Sequence, residues 1–322
     1  MTKYFDIDER WQIFGIKSKE EYLSKYLIKG YFHASVPVDI REAFVTVEYL
    51  LAHAWHHYPL YDEGLNKALR IMEMAIRLRA KELGLEVKAK NGSEKKLHFL
   101  IGEICNGDHL VQLKKALERL KRLRNMHMHP QQHGYMGIAA NLPRNVKLMV
   151  NLLNRLFQND RWHQQIFLKR KQVQDMLNAC SDTPLILAKG EPLIGSIIDF
   201  EVHENSVCLM AEPIRLNIDE VVSKNVDVYP IGVRLNEFSI LSNGFSGISD
   251  AGAQISISVS DKPENLVTFH TFKSELAKAL KAGQGFYKLL IQTNAGWGLV
   301  DWEYEVNMKE NQLAVNELAY KL

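Results

Sequence analysis

The chain has 322 residues, enough for about two domains at roughly 150 residues each, and is 46% hydrophobic, 24% charged and 9% aromatic. With 19 Gly, 9 Pro and three widely spaced cysteines (Cys105, Cys180, Cys208), this composition excludes intrinsic disorder, a collagen-like repeat and a disulfide scaffold. Basic and acidic side chains nearly cancel at 40 against 38, yet residues 1–180 carry +10 and residues 181–322 carry −8. That split points to a polyanion-binding module joined to something else.

The N-terminal stretch, Met1 to Tyr22, lacks the basic start and apolar run of a signal peptide. No 18-residue apolar run suggests a membrane span. The expectation is a cytoplasmic protein without a membrane partner.

From Val38 to about Leu177 apolar residues recur at helical spacing. Asp39 is placed to cap a helix running to about His57, with Phe44, Val47, Leu50, Leu51 and Ala54 along its apolar stripe. Tyr58-Pro59 ends it, because a residue before proline is pushed away from helical angles. Asp62 opens the next helix, whose inner face is Leu65, Leu69, Met72, Ile76 and Leu78, ending at Gly84. A polar loop, 88–96, leads to a shorter helix over about Leu97 to Ile104. Asp108 then starts a long helix through Leu110, Leu113, Leu117 and Leu120 to about Met128. Pro143 suits the first turn of a further helix through Leu148, Leu152 and Leu156, and a last one covers Trp162 to Leu177.

Beyond Cys180 the pattern changes to alternation and β-branched runs. Strands are expected at 193–202, 206–210, 226–235, 253–260, 266–272, 286–293 and 298–306, separated by turn signals such as Ser242-Asn-Gly and Asn294-Ala-Gly. One or two short helices, near Ser274 to Ala282 and Gln312 to Tyr320, interrupt them. The boundary is expected in 179–184, a helix stop followed by turn formers.

The long basic helix ends in Arg124-Asn-Met-His-Met-His129. An arginine, a polar residue, three intervening positions and a histidine resemble the signature of the HEPN family (higher eukaryote and prokaryote nucleotide-binding domains). The surrounding helices, expected at about 38–57, 62–85, 97–128 and 143–158, are similar in order to that family's two long antiparallel helices, loop, signature helix and closing helix. The resemblance covers roughly residues 38–160 and nothing in 181–322. Together with the strand pattern beyond Cys180 it gives the expectation of an α + β protein of two domains. An N-terminal extension (1–37) precedes an all-α HEPN-like bundle (38–180), and a β-rich sandwich or barrel (181–322) carries one or two short helices.

Many HEPN proteins are metal-independent endoribonucleases, often prokaryotic defence effectors or toxins, that act as homodimers. Carried over by position, Arg124, Asn125 and His129 are the catalytic candidates, with RNA as substrate and no cofactor or metal. The residue types suit the chemistry. Cleavage through the RNA 2′-hydroxyl needs a base and an acid near neutral pH, and histidine supplies both. A guanidinium stays charged and holds two phosphate oxygens in its planar fork. His127 is a rival base, three positions from Arg124. Arg124 and His129, five apart, diverge by about 140° on a continuous helix. Pro130 lets the chain turn at His129, and a dimeric site needs convergence only across the symmetry axis.

Lys114, Lys115, Arg119, Lys121 and Arg122 cover the rest of the helix's polar surface. They form either a phosphate-binding face or a solvated outer face. Other signals compete. His53 and His57 sit one turn apart as in zinc helices, but Ala54 stands where a catalytic glutamate belongs. With His129 and His133 they would form the site of a zinc-dependent hydrolase. Glu73 either faces the site and orients a base or is a surface residue pairing with Arg77 at i+4, the second being the simpler reading. Gly283-Gln-Gly285 lacks the continuation of a dinucleotide fingerprint and reads as a turn, and Trp297, Trp302 and Tyr304 read as core. The acidic domain is open to an activator or inhibitor contact. The alternative to an enzyme is a non-catalytic HEPN-like module that binds nucleic acid or nucleotides and regulates.

Overall fold

The computed structural model describes residues 5–128, 141–187, 193–214, 229–281 and 286–319. It is an α + β chain that divides into two compact units, one of residues 1–163 with 304–322 and one of residues 164–303. The division falls inside helices, at 163/164 and 303/304. Counted over these units, the first holds 28 basic and 21 acidic residues and the second 12 and 17. The sign of the asymmetry is kept at +7 and −5.

In the first unit, α1 (Glu9–Ile13) is capped by Asp8, whose carboxylate accepts from the Arg10 amide. α2 (Lys19–Tyr26) is capped by Ser18, while Glu21 reaches back to the Lys17 amide, a variant of the capping box. Residues 5–37 contribute to the core of the helical unit. Trp11 is fully buried against Tyr22, Tyr26 and Tyr58, with ring centroids 4.6 to 4.9 Å away.

α3 (Val38–His53) begins one residue before Asp39 and ends at His53. Its last carbonyls lack intrahelical donors. The Tyr22 hydroxyl donates to Leu51 O at 2.5 Å and the Trp11 indole to Ala54 O at 2.7 Å. α4 (Pro59–Glu82) starts at Pro59 and not at Asp62, since proline suits the first helical position, where its missing N–H costs nothing. Gly64 lets α4 approach α3: a Cβ there would lie 2.9 Å from a Leu51 methyl.

The remaining helices follow the expected periodicity. α5 (Leu97–Ile104) leads through a 3₁₀ turn, Asp108–Leu110, into α6 (Val111–Met128), which buries Leu113, Leu117 and Leu120. α7 (Leu142–Leu156) buries Val146, Met149, Val150, Leu152, Leu153 and Leu156, packing against α4 and α6. α8 (Asp160–Ala179) carries the chain into the second unit.

There, β1 (Leu185–Leu187), β2 (Leu193–His203), β3 (Ser206–Pro213), β4 (Ile231–Leu241), β5 (Gly244–Ile248) and β6 (Gln254–Val259) form an antiparallel barrel. It is closed by β1 on β6, Leu185 opposite Val259. Phe200 pairs with Leu209, Val202 with Val207, Leu209 with Val233 and Val207 with Leu235, so these side chains share one buried face. Two short stretches, β1 and β5, were not foreseen.

Three expected strands are corrected. Residues 266–272, 286–293 and 298–306 lie in two long helices, α9 (Pro263–Lys281) and α10 (Phe286–Ala319), in place of the one or two short ones expected. Buried Tyr287, Ile291, Ala295, Leu299 and Trp302 fall three or four apart, a helical period that β-branched and aromatic residues disguised. The first part of α10 covers the barrel. Tyr287 donates to the buried Glu212 at 3.1 Å, and a Cβ on Gly298 would meet the Met210 methyl at 2.4 Å.

The end of α10 completes the helical unit. The Tyr304 hydroxyl donates to Lys29 O at 2.9 Å and accepts from Lys29 N at 3.0 Å. Asn307 donates to the fully buried Asn151 at 3.0 Å, and Asn311 to Phe32 O at 3.0 Å. No helix among the described residues is long and apolar enough to cross a membrane.

Candidate functional site

α6 is amphipathic. Its buried leucines leave Lys114, Lys115, Arg119 and Arg122 exposed, whereas Lys121 is half-buried and pairs with Glu118. The expected phosphate-binding residues therefore lie on the outward side of one helix, with Lys121 partly neutralised.

Arg124 lies in the last turns of α6 and is about a quarter exposed. Its Nη2 donates to Glu73 Oε2 at 2.9 Å, reaching across to α4, and its Nη1 donates to the Asn125 side chain at 3.3 Å. Glu73 also accepts from its i+4 neighbour Arg77 at 3.2 Å, through Oε1. Glu73 therefore makes the i+4 pair with Arg77 and also reaches Arg124. Sequence reasoning missed this bridge because the tie from residue 73 to residue 124 is non-local. The i+4 spacing could show only one half of it.

Arg77 extends the network to the 88–96 loop, through Glu94 at 3.0 Å and Lys95 O at 3.4 Å. That loop is a miniature hairpin, in which Lys88 bridges Glu94 and Lys95 N donates to Val87 O at 2.9 Å. Gly92 takes the left-handed φ of +81° at its tip. Lys88, Lys90 and Lys96 are exposed.

His127 lies within the final turn of α6. His129 and His133 lie outside the described residues, as do Gly283-Gln-Gly285 and residues 226–228 of the expected fourth strand. Of the metal-like pair, His53 stacks on Tyr49 at 6.5 Å and His57 is exposed; the neighbouring His56 contacts Asp6 O at 3.1 Å. Among the described residues, no group of three His, Cys, Asp or Glu side chains is arranged to hold a metal ion. Trp302 and Tyr304 are buried and Trp297 half-buried, on a helix.

A second polar cluster sits at the α7–α8 junction. His109 meets Asp160 at 2.6 Å, and Arg79 donates to Gln158 O at 2.9 Å. Burial, with Arg155 and Arg79 nearby, pushes the His163 imidazole down to about 4, against a hydrogen bond with the Arg155 backbone that raises it. It is neutral at neutral pH. In the barrel unit, a groove of about 760 Å³ runs between α8 and β4, with Lys169, Met176, Phe238 and Ile240 among its walls.

Comparison with family models, curated proteins and solved structures finds no match to this chain.

Proposed function

We propose that the helical unit is a metal-independent endoribonuclease of HEPN type, working as a homodimer through Arg124, Asn125 and His129, with α6 supplying phosphate contacts. The single observation that carries this reading is Arg124. It is anchored from a neighbouring helix yet a quarter exposed, at the end of a helix whose outward face is basic. A guanidinium has five N–H donors. Among the described residues Glu73 and Asn125 take two of them, and the other three are the donors proposed for phosphate oxygens.

In the proposed reaction a histidine, His129 by position, takes the proton from the RNA 2′-hydroxyl. The 2′-oxygen bonds to phosphorus, the bond to the 5′-oxygen breaks, and a second proton donor protonates that leaving oxygen. Arg124 balances the charge that develops on the phosphorane. The products are a 2′,3′-cyclic phosphate, or the 3′-phosphate from its hydrolysis, and a 5′-hydroxyl.

The test is cleavage of labelled RNA in excess EDTA by the full chain. Arg124→Ala and His129→Ala should each cut at least about 100-fold more slowly, with folding and dimerisation retained. DNA should stay intact, and His127→Ala should be milder. Products with 5′-phosphate made only with divalent metal would support the zinc-hydrolase reading.

The Arg124–Glu73 ion pair is also what an arginine of a non-catalytic nucleic-acid-binding module would make. In that case RNA binds without being cut, and Arg124→Ala changes affinity alone.

A further inference from the structure

Resting on the assignment of Arg124 to an RNA-cleaving site, we infer that Glu73 is the positioning residue of that site. Arg124 stands near the end of α6, and among the described side chains of its own helix it meets the short one of Asn125. Its other described anchor comes from α4. Glu73 is well fixed for the task, because Leu69, Met72 and Ile76 around it are buried in the core of the helical unit.

Glu73 is held at both oxygens. Oε2 meets Arg124 and Oε1 meets Arg77, which is tied in turn to Glu94 and Lys95 O of the hairpin. A carboxylate gripped from two sides has one orientation, and it imposes that orientation on Arg124. Phosphoryl chemistry is sensitive to this, since misplacing a catalytic group by about 1 Å costs up to roughly 100-fold in rate.

The rival role for the same contact is a brake, in which Glu73 keeps Arg124 from phosphate. Donor number argues against it. The contact occupies one of five N–H donors, so phosphate binding does not require it to break.

The experiment uses the full-length chain with RNA in EDTA, and compares Glu73→Ala and Glu73→Gln with wild type and Arg124→Ala. Glu73→Ala should lower kcat by about tenfold or more while KM stays within about threefold, the signature of an interaction that acts in the transition state. Glu73→Gln keeps the length and one acceptor oxygen, and should recover part of the loss at an unchanged melting temperature. Wild-type kcat in Glu73→Ala overturns the inference, and a raised kcat marks the brake instead. Equal losses in both variants with lowered melting temperatures would make Glu73 a structural residue and also overturn it. If wild type and Arg124→Ala cut equally, or neither cuts, the ribonuclease reading fails and takes this inference with it. Cleavage that is lost in Arg124→Ala but intact in Glu73→Ala overturns the positioning role alone.

Discussion

Trp11 offers the sharpest test of how the helical unit is held. Its side chain is fully buried, touches the rings of Tyr22, Tyr26 and Tyr58, and donates to Ala54 O at 2.7 Å. Trp11→Ala empties that volume, a change that costs about 3–5 kcal/mol for a buried tryptophan. Trp11→Phe keeps most ring contacts and strands the Ala54 carbonyl at the end of α3, for about 1–3 kcal/mol. Domains of this size have stabilities of about 5–15 kcal/mol, so the alanine change removes a large fraction. Urea unfolding of the full chain, followed by far-ultraviolet circular dichroism, reads both variants in the transition that carries the helical signal. A loss below about 1 kcal/mol for Trp11→Ala would refute the reasoning and return residues 5–37 to the status of an appendage. Wild-type stability in Trp11→Phe would dismiss the indole hydrogen bond.

His163 predicts an acid dependence. The unfolded chain takes up a proton near pH 6.5, while the native imidazole refuses it until about 4. Stability therefore falls as pH drops through that window, by about 3 kcal/mol, and His163→Gln should flatten the fall in urea midpoints measured between pH 7 and 4.5. Tyr304→Phe removes two hydrogen bonds to the Lys29 backbone and should cost about 1–3 kcal/mol in the same unfolding assay. No change would mean that the end of α10 is dispensable to the helical unit.

The helices from α3 to α8 were legible because their buried residues keep a strict period and their ends carry proline, glycine or charge signals. Leu65, Leu69, Met72 and Ile76 are all 3% exposed or less, as their spacing implied. What failed was the arbitration between periods in the last quarter. Phe286-Tyr-Lys-Leu-Leu-Ile-Gln-Thr293 is rich in strand formers, and Gly296 and Gly298 argue locally against a helix. Packing on the barrel overrides that preference, with Gly298 leaving room for the Met210 methyl. The N-terminal segment was undervalued for a related reason: capping side chains such as Tyr22 and Trp11 meet their acceptors about 30 to 40 residues away. At the candidate site the sequence offered residue types and the i+4 pair. The Arg124–Glu73 contact spans 51 positions and could come only from the fold.

The helical unit is discontinuous in sequence, and this sets an order of events on the ribosome. Residues 1–163 emerge first, but Tyr304, Asn307 and Asn311, which reach Lys29, Asn151 and Phe32, follow only after the intervening 140 residues. At roughly 5–20 residues per second, that is a delay on the order of ten seconds. Throughout it the carbonyls of Lys29 and Phe32 and the amide of Asn151 lack these partners, while the barrel sequence is completed. The nascent chain thus finishes its second unit before its first. A newly made molecule acquires its full set of these contacts only once Asn311 has emerged.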